Sequence, residues 1–213
     1  MEIIVNNATK CIKKAPILDN VSLELQSGMI YGLQGPNGSG KTMLMRLISG
    51  LIRPTSGKVY IDGRELGKEM DFPVSVGMLI ETPAFLSNYT GLQNLELLAQ
   101  IQNRISSRDI RLALASVGLD PDDKRKYRKY SLGMKQRLGL AAAIMEKPDL
   151  LFLDEPTNAL DGDGIALVCD LILREKARGA LIVIACHDPV ILERLSDEVY
   201  TIAEGRITKK VFP

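Results

Sequence analysis

The stretch "MIYGLQGPNGSGKTMLMRLISG", Met29 to Gly50, decides the fold. An apolar run suited to a strand, Met29 to Leu33, enters a glycine-rich turn, and "KTMLMRLISG" then reads as a helix closed by Gly50. Between them Gly35, Pro36, Asn37, Gly38, Ser39, Gly40, Lys41 and Thr42 fit G-x-x-x-x-G-K-[ST]. Gly35, Gly38 and Gly40 let the backbone wrap a polyphosphate closely, with N–H groups turned inward at a helix N-terminus. Lys41 brings a cation to the β- and γ-phosphates, and Thr42 offers a hydroxyl to Mg²⁺. A glycine-rich turn without a ligand would not call for the strand before and the helix after. The motif points to ATP or GTP but leaves open the kind of NTPase.

Downstream, "DLLFLDEPTNALD" supplies acid groups. Leu150 to Leu153 read as a buried parallel strand ending in Asp154 and Glu155, and ligands meet such sheets at the carboxyl ends of strands. Asp154 can hold Mg²⁺ and Glu155 can polarise an attacking water as general base. That pairing favours hydrolysis over transfer to a metabolite. The plainer alternative is a capping pair at a strand-to-helix loop. Asp161 is placed to cap the next helix.

Around these motifs the chain alternates strands and helices. "EIIV", "VSLEL", "KVYIDG" and "VGMLI" read as strands; from about Phe85 to Lys147 the pattern is helical; "DLLFLDE", "ALIVIAC" and "EVYTIAEGRI" resume the strands. This predicts one α/β domain over 1–213, its core at 1–84 and 148–213 and a helical subdomain inserted at about 85–147. A formal net charge of +1 gives no reason to expect nucleic acid as a partner. No apolar run approaches the roughly 18–20 residues that cross a bilayer, and "MEIIVNN" lacks the marks of a signal peptide. Cys11, Cys169 and Cys186 are odd in number and far apart, as reduced thiols would be. The expected location is cytosolic.

Together these residues resemble the ATP-binding subunits of ABC transporters, over nearly the whole chain. "GPNGSGKT" is similar to that family's Walker A loop, "LLFLDEP" to its Walker B strand with catalytic glutamate, and "NALD" to its D-loop. His187 in "ACHDP" is similar to the switch histidine, and "YSLGMKQR", Tyr130 to Arg137, to the signature motif LSGGQ-x-QR. The resemblance implies a P-loop core with a mixed sheet flanked by helices, an N-terminal antiparallel β portion and an inserted helical subdomain. It implies a homodimer, or a heterodimer with a sister subunit, sandwiching two ATP with Mg²⁺, and a separate transmembrane permease on whose cytoplasmic side the pair sits. Lys41, Glu155 and His187 would carry catalysis; Thr42, Asp154 and Glu81 would serve the metal. Ser131 and N–H groups around Gly133 would meet the γ-phosphate bound to the partner, with Asp161 across the interface.

Departures narrow the resemblance. Leu132 and Met134 stand where the signature has glycine and glutamine, while Ser131, Gly133, Gln136 and Arg137 remain. Glu81 in "LIETPAF" stands in place of the Q-loop glutamine, and this loop with "SLGMKQR" resembles exporters of bacitracin- or lantibiotic-like peptides. A solvated glutamate beside a proline turn is the plainer alternative. Where the family stacks an aromatic on adenine, the position falls at Ile12 or Cys11, so weaker adenine selectivity and a higher ATP KM are expected. "DDKRKYRKY" reads as a solvated face, with docking to acidic lipid or to a membrane subunit as the alternative. A chromosome-type ABC ATPase would separate loop and signature by a long heptad segment; here about ninety residues without sustained heptads intervene. A non-transport ABC ATPase acting as a nucleotide-dependent switch in a soluble complex stays as the second expectation.

Overall fold

The structure is a computed structural model that describes residues 1–211; positions 212–213 of the expected domain lie outside it. Strands β1 (Glu2–Ile12) and β2 (Ala15–Gln26) pair antiparallel, and β1 also pairs with β4 (Ser56–Ile61), which carries β5 (Arg64–Glu65). "EIIV" and "VSLEL" turn out to be only parts of the first two strands. Both continue to a reversal at Lys13 and Lys14, whose φ angles of 49° and 70° lie in the left-handed region. The alternation in "VSLEL" survives as side-chain direction: Val21, Leu23 and Leu25 are buried, and Ser22 and Glu24 are exposed.

The second sheet has the order β10-β9-β3-β8-β7-β6. It contains β3 (Ile30–Gln34), β6 (Val76–Leu79), β7 (Leu150–Asp154), β8 (Leu181–Ala185), β9 (Glu198–Ala203) and β10 (Arg206–Val211). All its neighbours are parallel except β9 and β10. "EVYTIAEGRI" is therefore a hairpin, because Glu204 (φ 49°) and Gly205 (φ 74°) reverse the chain. Every residue of β7 and β8 is buried, as parallel strands covered on both faces require. Their two-residue period splits the core. Leu150 and Phe152 join the antiparallel sheet and α1 (Lys41–Ile48), whereas Leu151 and Leu153 face the other helices. The expected mixed-sheet α/β class with an antiparallel β portion is the observed one.

Three α-helices lie between β6 and β7: α2 (Gly91–Gln102), α3 (Ser107–Ser116) and α4 (Leu132–Ile144), with one 3-10 turn at Tyr127–Lys129 before the last. The first begins at Gly91 rather than near Phe85 because Thr90 and Gln93 form a capping box; Ser106 and Asp109 do the same for α3. Leu95, Ile110, Leu114 and Leu138 bury their apolar faces in one cluster. Helix α5 (Gly162–Ala177) crosses from β7 to β8, and a short α6 (Pro189–Leu195), unforeseen from sequence, follows the Asp188 cap. No helix among the described residues is long and apolar enough to cross a membrane.

Helix α4 lies so close to β6 that a Cβ at Gly77 would stand 1.9 Å from the Ala143 carbonyl oxygen. Gly77→Ala is expected to destabilise the fold by about 3 kcal/mol or more, since neither the strand nor the helix backbone can yield cheaply. A lowered urea midpoint in the purified variant checks this; an unchanged midpoint would mean that α4 moves freely.

Candidate active site

Five strands of the mixed sheet are parallel, and their carboxyl ends open into a cleft of about 690 Å³. The turn after β3, which begins at Gly35 (φ 156°), delivers Gly38 (φ 77°) and Gly40 (φ 113°) to its floor. At Gly40 a side chain would meet Leu18 and the Ile17 carbonyl. Gly40 is also the N-cap of α1, with no side chain closing that end, so first-turn N–H groups are left for an anion. The buried Lys41 ammonium donates back to the carbonyls of Gly35 (2.7 Å) and Pro36 (3.0 Å). Ser39 Oγ is buried without a partner. An uncapped helix end, a lysine lying across the loop and an orphan hydroxyl suit a polyphosphate.

Thr42 Oγ1 donates to Asp154 Oδ2 at 2.6 Å, so two of the three residues expected at the metal meet directly. No group of three or more His, Cys, Asp or Glu able to hold a metal occurs among the described residues. One hydroxyl and one carboxylate suit Mg²⁺, which takes its remaining oxygens from water and phosphate, and would not suit an all-protein cage. Glu81 lines the same cleft, but its carboxylate pairs with the Arg46 guanidinium of α1 at 2.5 Å rather than turning to Thr42 and Asp154.

Glu155 begins the turn beyond β7 with φ 50°, a costly left-handed conformation held by two anchors. Its N–H donates to the Ala185 carbonyl (2.8 Å), and Gln136 Nε2 donates to its carbonyl (2.8 Å). The His187 N–H donates to Oε2 at 3.3 Å; His187 Nε2 stands 3.2 Å from Oε1 but out of line for a hydrogen bond, which leaves Oε1 buried and unpartnered. Burial pushes the Glu155 carboxyl above the usual glutamate range, more than the His187 backbone and ring pull it down. A carboxylate with a free oxygen and a raised proton affinity can take a proton from water.

Ile12 lines the cleft with Ile17; Cys11 does not, and its N–H is engaged by Thr55 Oγ1 at 3.0 Å. Of the two positions left open by the sequence, Ile12 is the one that lines the cleft. Ser131, Gly133 and Asp161 lie elsewhere, in a second hollow with Arg137 and Leu160 that shares only Leu132 and Ala159 with the cleft. There Ser131 caps α4 by accepting from the Met134 N–H (3.2 Å), and Asp161 caps α5 by accepting from the Gly164 N–H (2.9 Å). Sequence reasoning had no part for Gln136 beyond its motif letter and missed Arg46 altogether. Arg46 follows Thr42 by four residues and so shares its helix face, but its partner 35 positions away has no local signal.

The family described as ABC transporter matches residues 18–158. Relatives include the uncharacterized ABC transporter ATP-binding protein YybJ of Bacillus subtilis (strain 168), 49% identical over 95% of this chain and 93% of that protein. The bacitracin transport ATP-binding protein BcrA of Enterococcus faecalis is 38% identical over 99% and 70%, and the lantibiotic transport ATP-binding protein SrtF of Streptococcus pyogenes 38% over 95% and 87%. A solved ATP-binding subunit of an ABC transporter superposes with a TM-score of 0.89 at 26% identity, covering 100% of this chain and 90% of that one. The chain belongs to the ABC transporter family. Within it, it is an ATP-binding subunit, an ATPase by class.

Two outcomes follow from this geometry. Hydrolysis should be lost as pH falls through the raised Glu155 pKa, so the acidic limb of kcat should lie above the ordinary glutamate value of about 4.3; a limb at or below it would remove Glu155 as base. Ile12→Tyr should tighten ATP binding by about tenfold, since an aromatic stack on a base is worth roughly 1–3 kcal/mol. Equal nucleotide affinity by calorimetry would place adenine elsewhere.

Proposed function

We propose that the chain works as a pair of ATPase subunits that close around two ATP and drive a separate membrane permease. The observation that carries this is the separation of the site into two half-sites. The phosphate loop lines one hollow, and Ser131, Gly133 and Asp161 line another. The α4 tip is exposed at Ser131 and Leu132, and its N-terminal end favours an anion that its own phosphate loop does not bring to it. Packed head to tail, two copies or two sister subunits bring each tip to the other's cleft. As the proposed arrangement, residues 1–84 and 148–213 form the catalytic core and about 85–147 the helical part that couples to the permease.

In this mechanism the backbone of Gly35 to Gly40 and the Lys41 ammonium bind the β- and γ-phosphates, while Ile12 lies under adenine. Thr42 and Asp154 would hold Mg²⁺, with Glu81 beside them, and the ion when bound neutralises charge on the phosphate oxygens. The Glu155 carboxylate takes the proton of a water whose oxygen attacks the γ-phosphorus, and ADP leaves. His187, beside Glu155, orients that water and touches the γ-phosphate. Ser131 and the N–H of Gly133 from the partner complete the shell, with Asp161 at the seam. Opening after hydrolysis moves the permease.

The proposed cargo is a peptide antibiotic or a similar hydrophobic compound, exported. The 38% identity to BcrA and SrtF, whose names give bacitracin and lantibiotic transport, supports this. So does the loop "IETPAF". The proposed location is the inner face of the cell membrane, held there by the permease.

Glu155→Gln removes the base and keeps the size, so it should abolish turnover and trap an ATP-dependent dimer visible by size exclusion. A Glu155→Gln protein that hydrolyses ATP normally, or stays monomeric in saturating Mg-ATP alongside its permease, would refute the mechanism.

A further inference from the structure

Three acidic side chains line the cleft: Glu81, Asp154 and Glu155. Lys41 and Lys135 are the lysines of its wall. With three carboxylates against two lysines, a triphosphate entering such a site meets more negative charge than positive, so the fate of each carboxylate affects binding. Asp154 is engaged by the Thr42 hydroxyl, and Glu155 accepts from the His187 N–H. Glu81 differs. It is exposed, and its backbone has a left-handed φ of 63°. Two residues on, the Pro83 carbonyl accepts from Tyr127 Oη at 2.6 Å, which ties the loop to the helical part. That contact anchors the loop that places Glu81, Thr82 and Pro83 in the cleft wall.

We propose that Arg46 is a positioning residue of the ATP site: its guanidinium holds the Glu81 carboxylate and cancels its charge, so that the triphosphate can approach. Arg46 stands one helical turn beyond Thr42 on the same face of α1, and its Nη2 lies 2.5 Å from Glu81 Oε1. Among the described residues no other cation pairs with Glu81. The pair is open to solvent, with 31% of the arginine and 61% of the glutamate side chain exposed, and such pairs add little to folding stability. Its consequence is local: a glutamate can stand in this wall because an arginine on the phosphate-loop helix answers it. The proposal rests on ATP occupying the cleft and adds Arg46 to the groups that determine its affinity.

The test is equilibrium binding of ATP in EDTA at low ionic strength, without metal or turnover, to wild type, Arg46→Met, Glu81→Gln and the double variant. Arg46→Met should weaken binding about three- to tenfold, and less at raised salt. In the Glu81→Gln background the same change should cost less than twofold, because the charge to be masked is gone. Arg46→Lys should retain most of the affinity. Equal weakening in both backgrounds would mean that Arg46 acts on the nucleotide or on folding directly, and unaltered binding by Arg46→Met would also overturn the proposal. Thermal midpoints of the nucleotide-free variants should match wild type; should Arg46→Met not fold, Arg46→Gln carries the same comparison. A wild-type protein that fails to bind ATP at all would refute occupancy of the cleft instead.

Discussion

The hydrogen bond from Thr42 Oγ1 to Asp154 Oδ2, 2.6 Å long, ties the phosphate loop to the acidic strand end. Its two ends come from residues 112 positions apart, and they meet only because β3 and β7 flank β8 in one parallel sheet. Parallel strands place all their carboxyl ends on one edge, so groups that follow different strands converge without any local instruction. The glycine turn after β3, the acids after β7 and the histidine after β8 are three such groups. Loss of parallel order would scatter them, whatever the motifs say.

Three of the left-handed non-glycine residues lie at the same edge. Glu81, Glu155 and Ala159 all have positive φ, an uncommon conformation for residues with a side chain. Each is braced by something remote in sequence: Glu81 by Arg46, Glu155 by Ala185 and Gln136, and Ala159 by its close approach to Gly133. The bracing holds the turns in the cleft wall, so the site is preorganised by packing rather than by loop sequence. Gln136 has a second consequence, since it links helix α4, which carries the exposed serine tip, to the backbone of the candidate base.

The same logic separates the two anion-facing helix ends. Helix α1 ends at Gly40 with no side-chain cap, whereas α4 is capped by Ser131 itself. A hydroxyl that already accepts from Met134 N–H retains its own proton for a second acceptor, so capping and phosphate contact are compatible. The exposed Leu132 beside it replaces a glycine expected of the motif and adds apolar surface to the rim.

Much of this was legible in the chain because it is local. Glycines with positive φ, a lysine and threonine at a helix start, alternating burial in "VSLEL" and an unbroken apolar strand before Asp154 are short-range consequences of backbone sterics and side-chain period. The α/β class and the phosphate loop follow from them. Tertiary structure alone settled what depends on distance in space: that "EVYTIAEGRI" folds back into two strands, that Ile12 rather than Cys11 faces the cleft, and that Glu81 is answered by Arg46. Those outcomes rest on pairings across the sheet and between lobes, and a residue's letter carries no record of which distant group will come to neutralise it.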